Sequence, residues 1–585
     1  MDWNEVEEQH AFVFLMARRR AGIKIAFLPA LSTLFLLCAL LLLGLALVSI
    51  LAVRLVDLEN VQNNDHHRPT SVASKSEKRD RVSALRHDLA SSSISAMLSN
   101  SVWNSKNAAL YDGCSTPSKD FRRADDLQPN GYLMIVTSGG LNQQRTGITD
   151  AVVVARLLNA TLVVPDLDHR SYWKDNSNFS DIFDIDWFIK VLAPDVLIVK
   201  KLPSSVSQAM TNRVVSMRVP RKCTQQYYQS MILPILKKKH VLQLTKFDYR
   251  LSNILDLDYQ KLRCRVNYNA LRFTEPISDM GHLLIKRIRR MSSRYIALHL
   301  RFEPDMLAFS GCYYGGGEKE VNELGAIRKQ WKTLNGKNPE KERRNGKCPL
   351  TPEEVGLMLK AFGFANDSVL YVASGEVYGG GGTLAPLIDL FPKIFTKETL
   401  TSKEELQPFL QYSSRMAAID YIVCAQSDVL VTNNNGNMAR ILAGQRRYFG
   451  HKRTIRPNTK KLGPLFLARS ELSWEQSSAK VRAFQKGFMG EPNETKRGRG
   501  EFHENPAACI CENSADKEKL EVLRQLQANQ IVNSNYEDFH NIEHDTDELE
   551  IAGGQPENYK AHTDSESLEN KVHIELPDGT LANNW

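Results

Sequence analysis

The 585-residue sequence holds no Cys-x-x-Cys pair and no histidine-rich tract, so nothing in it is spaced as a structural zinc site. Cysteine itself is sparse, nine residues in all, which excludes a small disulfide knot, and no Gly-X-Y period of the collagen kind is present. With 42% hydrophobic and 24% charged residues the chain is too apolar for wholesale disorder, and its length suits one large or two to three mid-sized domains. From Ile25 to Val53 charge is missing altogether. That run exceeds the roughly 20 residues a spanning helix needs and the about 15 of a signal-peptide apolar region, so it predicts a membrane anchor at 25–53. Arg18, Arg19, Arg20 and Lys24 precede it, while Asp57 and Glu59 follow soon after. The positive-inside rule then leaves 1–24 in the cytosol and the rest on the far side, a type II topology.

Several features fit that placement. The Asn-x-Ser/Thr acceptors at Asn159, Asn178, Asn366 and Asn493 all fall beyond the anchor, where glycosylation occurs. Cys38 lies in the apolar run and eight further cysteines lie beyond it, an even count that favours several disulfides in an oxidising lumen. A chain of this layout is expected in the Golgi membrane, as an enzyme that modifies sugars or proteins. The net charge of +8 divides unevenly: from Glu512 onward there are 17 acidic and 5 basic side chains, a balance of −12, which leaves +20 for everything before. Lumenal placement turns that basic body away from nucleic acid.

Residues 54–128 are rich in Ser, Asn, Lys, Arg and His without an apolar period and read as a stem. Folded sequence then begins with a strand at Tyr132–Thr137, a Gly-containing loop, a helix at Thr146–Leu158 and a strand at Thr161–Val164, the order of a parallel-sheet crossover unit. The alternation resumes with strands at Tyr295–Leu300, Val369–Ala373 and Val429–Val431. Helices fall at Pro352–Phe364, with Thr351 as N-cap and Glu354 completing a capping box, at Ser414–Val423 and at Asn437–Gly444. The expected architecture is α/β, two doubly wound halves at 129–290 and 291–503, with 504–585 an acidic, mostly disordered tail.

Three loops at strand ends carry the chemistry, where open parallel sheets bind ligands. In Ser138-Gly-Gly-Leu-Asn-Gln-Gln-Arg145, Gly139 and Gly140 allow close backbone approach, and Asn142 and Gln143 follow as polar contacts. In Ala297-Leu-His-Leu-Arg-Phe-Glu-Pro-Asp305, His299 and Arg301 end an apolar strand, and a permanently charged Arg there makes a clamp for a phosphate oxygen. A salt bridge from Arg301 to Glu303 or Asp305 is the structural alternative. The third loop runs from Asp428 through three asparagines to Gly436, Asn437 and Met438 and opens a helix that can cradle an anion. A fourth, Ser374–Gly382, contains Glu376 and a run of four glycines. The Asp-x-Asp triplets at Asp166/Asp168, Asp184/Asp186 and Asp256/Asp258 have metal-ligand spacing, but a strand-end Arg with two helix N-termini neutralises a diphosphate without metal. Glu303, Asp305 and Glu376 are the candidate bases.

The segments GGLNQQR, HLRFEPD, YVASGEVYGG and SDVLVTNNNGNMARILAGQRRYFGHK together resemble the plant O-fucosyltransferase-like glycosyltransferases, over about Gly131 to His503. The wording HLRFEPDMLAFSGC and GFMGEP is similar to the branch containing pectin rhamnogalacturonan I rhamnosyltransferases. The resemblance implies a GT-B-like fold, two Rossmann-like domains facing a cleft behind one transmembrane helix. The N-terminal domain would take the acceptor and the C-terminal one the nucleotide sugar. It implies inverting transfer of a 6-deoxyhexose to a cell-wall polysaccharide or glycoprotein, from GDP-fucose or UDP-rhamnose, with no cofactor and no required metal. By the same resemblance Arg301 holds the β-phosphate with His299 beside it, Asn142 sits near the leaving bond and acceptor, and Gly436, Asn437 and Met438 offer backbone N–H groups to the phosphates. Where relatives have Ala-Thr-Asp this chain has Ala373-Ser-Gly-Glu376, which leaves the base contacts open between GDP and UDP. Complexes with other Golgi glycosyltransferases are an expected kind of partnership, and a non-catalytic glycan-binding scaffold of the same fold is the competing class.

Overall fold

Short, mostly apolar runs build the central strands, and the connections between them decide where the loops converge. The computed structural model describes residues 102–522 and 525, apart from 170–174, 210–213, 331–337, 434–435 and 495–501. The anchor expected at 25–53 and most of the acidic tail lie outside the described residues. In chain order the strands are β1 (Tyr111–Gly113), β2 (Tyr132–Thr137), β3 (Thr161–Val163), β4 (Ile198–Val199), β5 (Val215–Met217) and β6 (Val241–Phe247). There follow β7 (Tyr295–His299), β8 (Val369–Ala373), β9 (Ile394–Phe395), β10 (Val429–Thr432), β11 (Thr454–Ile455) and β12 (Ile510–Glu512).

Ten of these form two five-stranded sheets, β4-β3-β2-β6-β5 and β11-β10-β7-β8-β9, and every pairing in both is parallel. The alternating strands and helices therefore form an α/β fold with parallel sheets. β7, β8 and β10 are buried at every residue, as expected of strands covered on both faces. Along β7 the two-residue period sends Tyr295 and Ala297 into one apolar cluster and Ile296 and Leu298 into another. The first cluster also contains Leu133 and Ile135 of β2, so one continuous core joins the two sheets.

The helices that matter for the site are α1 (Leu141–Leu158), α2 (Glu275–Met291), α3 (Pro304–Ser310), α4 (Pro352–Phe362), α5 (Gly380–Leu390), α6 (Ser413–Gln426) and α7 (Asn437–Tyr448). α4 has the expected Thr351 N-cap and reciprocal Glu354 bond. α1 starts at Leu141 rather than Thr146, because Gly140 serves as its N-cap, so Asn142 and Gln143 belong to a helical first turn and not to a loop. α7 continues to Tyr448 and thus contains Arg446. That guanidinium is buried and donates to the carbonyls of Cys424, Ala425, Ser427, Asp428 and Arg453, a staple beneath the sheet.

The termini of the body differ from the sequence reading. β1, within the expected stem, pairs antiparallel with β12, within the expected tail. Disulfide Cys114–Cys511 ties the two strands to each other, Cys264–Cys509 locks them to the body, and Cys312–Cys348 closes a third loop. Residues 504–522 are therefore folded sequence, held by two cysteines and an apolar contact of Cys509 with Phe502 and Tyr448. Cys223 and Cys424 are buried thiols, so the eight cysteines beyond the anchor do not all pair.

Candidate functional site

In each five-stranded sheet the first strand in sequence lies inside the order, with neighbours reached in opposite directions: β2 between β3 and β6, and β7 between β10 and β8. These are topological switch points, where connections diverge and leave a crevice at the carboxyl ends. One cavity of about 460 Å³ is lined from both, by Gly140, Leu141, Asn142 and Gln143 after β2 and by His299, Arg301, Glu303 and Asp305 after β7. Ser374 and Glu376 after β8, Lys397, Asp420 of α6, and Asn437 and Met438 of α7 complete it.

The glycine pair behaves as its residue type requires. Gly139 has φ +88° and a Cβ there would lie 2.2 Å from Gln143 Oε1, so only glycine fits. Its N–H donates to Asp168 Oδ2 (2.9 Å), while Gln144 Nε2 donates to its carbonyl (2.8 Å) and Thr137 Oγ1 donates to Gln144 Oε1 (2.8 Å). Gln143 Nε2 donates to Asp248 Oδ2 (2.9 Å), itself held by Arg221 and Arg250. Gly140 and Gly436 are the N-caps of α1 and α7, and neither supplies a capping side chain. Both helices thus aim first-turn N–H groups without a side-chain acceptor toward the crevice.

Beyond β7 the backbone turns abruptly: Arg301 has φ +57°, a left-handed conformation costly for a residue with a Cβ. The turn is held by Asn433, whose Nδ2 donates to the carbonyls of Leu300 (2.9 Å) and Leu350 (2.7 Å) and whose Oδ1 accepts from Leu350 N (3.0 Å). The imidazole of His299 is buried and lies beside Arg301, and these push its pKa down to about 4. At neutral pH it is uncharged. Its Nδ1 is 3.2 Å from the Ala373 carbonyl, which only accepts, so Nδ1 carries the hydrogen and Nε2 is left as a bare acceptor facing the cavity. In this tautomer the ring can accept a hydrogen bond from the cavity but has none to donate into it.

The carboxyl groups divide sharply. Burial pushes Glu303 up, but the charge of Arg301 and the Gly375 N–H outweigh it and hold the group below the usual range. Its Oε1 accepts from Ser374 Oγ (2.9 Å) and Gly375 N (3.0 Å). Asp305 is the opposite case: burial and then the Glu303 charge push its pKa up. Asp420 is likewise raised by burial; it pairs with Lys397 at 3.0 Å and accepts from Tyr371 Oη at 2.6 Å. Glu376 is exposed at the rim.

Of the residues singled out from sequence, Gly140, Asn142, Gln143, His299, Arg301, Asp305, Glu376, Asn437 and Met438 line this one cavity, with Gly139 and Gly436 immediately behind it. Asp428 does not. It precedes β10, at the opposite end of the sheet, where Oδ2 accepts from Arg289 Nη1 (2.7 Å) and Tyr295 N (2.8 Å); its role is to tie strand to helix. Aspartates of all three Asp-x-Asp triplets serve structural ends too. Asp168 takes the Gly139 N–H, Asp184 caps Trp187 N, Asp186 pairs with Lys200 and Asp258 holds Ser118. Among the glycosylation acceptors Asn366 and Asn493 are exposed. Asn178 is exposed too, though it opens a helix with Asp181. Asn159 is half-buried at φ 45°, and its amide donates to the Gln128 carbonyl (2.6 Å).

Sequence reasoning missed Lys397, Asp420 and Tyr249. Tyr249 follows β6, and its hydroxyl donates to Asn437 Oδ1 (2.5 Å), joining loops of the two sheets. The one visible signal was an acid, Asp420, set inside the apolar run MAAIDYIVCA.

A family model described as GDP-fucose protein O-fucosyltransferase matches residues 132–449. The chain belongs to this family. It is a glycosyltransferase with a 6-deoxyhexose donor. Over 419 residues, 72% of this chain and 74% of the relative, it is 63% identical to O-fucosyltransferase 6 of Arabidopsis thaliana. Over 393 residues, 65% of this chain and 77% of the relative, it is 44% identical to Rhamnogalacturonan I rhamnosyltransferase 1 of the same plant. A crystal structure of POFUT1 in complex with GDP aligns with 56% of this chain and 99% of its own at 13% identity and a TM-score of 0.37.

Proposed function

We propose that this family member is a GT-B-like, inverting O-fucosyltransferase that moves fucose from GDP-fucose to a hydroxyl of a cell-wall polysaccharide or glycoprotein. The observation that carries the reading is a concentration of unmet polar atoms. Asn142 Oδ1, Gln143 Oε1, His299 Nε2, Glu303 Oε2 and Asn437 Nδ2 are all buried without a hydrogen-bond partner, and all belong to residues lining the same cavity. Buried polar groups are normally satisfied, so such a cluster marks a place built for a polar ligand.

In this reading the diphosphate lies against Arg301 and the first turns of α1 and α7. The acceptor oxygen attacks the anomeric carbon opposite the diphosphate, the carbon–oxygen bond breaks with its electron pair leaving on the β-phosphate, and the hydroxyl proton passes to Asp305. Asp305 is the favoured base because burial and the Glu303 charge raise its pKa, whereas Arg301 holds Glu303 low, Asp420 pairs with Lys397 and Glu376 is exposed. No metal enters the scheme. The 44% identity to a rhamnosyltransferase favours UDP-rhamnose as a second reading. Golgi residence as a type II protein belongs to the same proposal, supported by three disulfides, which suit an oxidising lumen.

The test is thermal melting of the full-length protein in detergent with GDP or UDP, followed by hydrolysis and transfer assays with GDP-fucose and UDP-rhamnose. GDP protection and fucose turnover are expected; UDP protection with rhamnose turnover moves the assignment to the second reading. Turnover of neither sink the catalytic scheme and leave a glycan-binding scaffold. Arg301→Ala is expected to cost roughly 10²-fold or more in turnover, the scale of losing one charge-stabilising donor.

A further inference from the structure

A second cavity of about 330 Å³ shares no lining residue with the first, although α1, α6 and α7 contribute to both. The buried Arg145, two residues beyond Gln143, lines it together with Trp187, Tyr268 and Arg272, Tyr421 of α6 and Gln445 of α7. Its lining contains no Asp or Glu.

Arg145 is only 2% exposed, yet among the described residues no carboxylate pairs with it. Nη2 donates to the Asn267 carbonyl (3.0 Å) and reaches Asn267 Oδ1 (3.3 Å), while Nε and Nη1 have no hydrogen-bond partner. The guanidinium lies 4.4 Å from the Tyr421 ring centre and 5.3 Å from that of Phe273. Aromatic faces soften a buried cation but do not neutralise it, so its field persists into the cavity. At the rim the exposed Arg272 sits 5.5 Å from the Trp187 ring, with donors free to turn toward solvent. An uncompensated cation below, a second above, aromatic faces and the amides of Asn269 and Gln445 between make a site for a ring with hydroxyls and one negative charge. The volume lies at the lower end of the roughly 300–1,000 Å³ typical of small-molecule sites, which fits one or two sugar rings.

We propose that this cavity binds a carboxylate-bearing sugar, a uronic acid residue of the acceptor glycan, away from the reacting hydroxyl. The assignment of the ligand to an acceptor rests on the glycosyltransferase reading; the binding site itself does not. Arg272 takes the carboxylate, Trp187 packs on the ring, and Arg145 supplies the field that favours an acid over its neutral counterpart. Holding a remote ring converts part of the acceptor's binding energy into positioning at the first cavity.

The experiment titrates the full-length protein in detergent with a galacturonic acid oligomer, its fully methyl-esterified form, and sulfate, following intrinsic tryptophan fluorescence and heat. Expected is at least tenfold tighter binding of the acid than of the ester, weakened by salt and reduced at least tenfold in Arg272→Ala and in Trp187→Ala. Those rim variants should leave protection by GDP or UDP unchanged, which separates this site from the first. Equal affinity for acid and ester, sulfate binding as tight as the oligomer, or undiminished binding in Arg272→Ala would overturn the proposal. Failure of both nucleoside diphosphates to bind, with oligomer binding intact, would instead sink only the donor reading.

Discussion

Residue by residue, the first cavity sets carboxyl groups of one kind to different tasks by what surrounds them. Glu303 lies beside Arg301 and stays ionised, whereas Asp305, two residues on, is buried and repelled by Glu303, so its pKa is raised. A base must be ionised to accept a proton, so transfer falls as pH drops through the Asp305 value, and that acid limb lies above where a free carboxyl would put it. Asp305→Asn should lower transfer by about 10²–10⁴-fold, abolish the limb and spare donor hydrolysis by water, with Asp305→Glu recovering part of the rate. Equal loss of hydrolysis and transfer would point to a structural role. His299 and Arg301 were legible in the sequence because polar, titratable residues closing an apolar strand stand out in one dimension. Lys397 and Asp420 were not, since their pairing depends on a contact between separate elements; nor was the tautomer of His299, which follows from the carbonyl of Ala373 across the sheet.

Elements follow the same division between local and long-range information. β2, β7, β8 and β10 announce themselves as apolar runs between turn residues, and parallel sheets follow from their alternation with helices. The start of α1 did not, because a helix capped by glycine without a side-chain bond carries no N-cap signature. That choice leaves the first-turn N–H groups open and makes Gly139 irreplaceable: Gly139→Ala forces strain at φ +88° and a clash with Gln143, and is expected to abolish nucleotide protection in a thermal-shift assay while the body still folds. The strap of β1 and β12 was invisible for a different reason. Two three-residue strands separated by some 400 residues have no periodicity, and cysteine spacing does not give connectivity. Ending the chain at His503, the boundary suggested by composition, removes Cys509 and Cys511 and exposes Cys264, Phe502 and Tyr448. Such a chain should be retained unfolded, whereas one ending at Val522 should be exported. Cys264→Ala with Cys509→Ala should cost about 2–5 kcal/mol in denaturant unfolding.

For the whole molecule, a basic body leaves several buried histidines surrounded by cations, and that makes its stability depend on pH in one direction. His299 and His451 are pushed down to about 4, and His503 to about 3, by burial first and then by neighbouring arginines. Unfolded, each takes up a proton near pH 6.5; folded, each refuses it until far lower pH. Their contribution is thus complete above about pH 6.5 and is lost progressively as pH falls toward 4, with a slope of about 1.4 kcal/mol per pH unit for each histidine. Asp305, Asp420 and Glu354, whose values burial raises, bind protons more readily folded than unfolded and oppose that loss at the acid end. The histidines govern the interval from about pH 6.5 to 5, where three of them acting together predict a fall of several kcal/mol. Melting of the full-length protein at pH 7.5, 6.5 and 5 should therefore show a marked drop confined to the lower interval. His503→Gln removes the group that titrates furthest from its free value, away from the first cavity, and should flatten that drop by about one third while leaving nucleotide protection intact. A melting temperature unchanged between pH 6.5 and 5 would mean that these imidazoles reach solvent when the protein is folded.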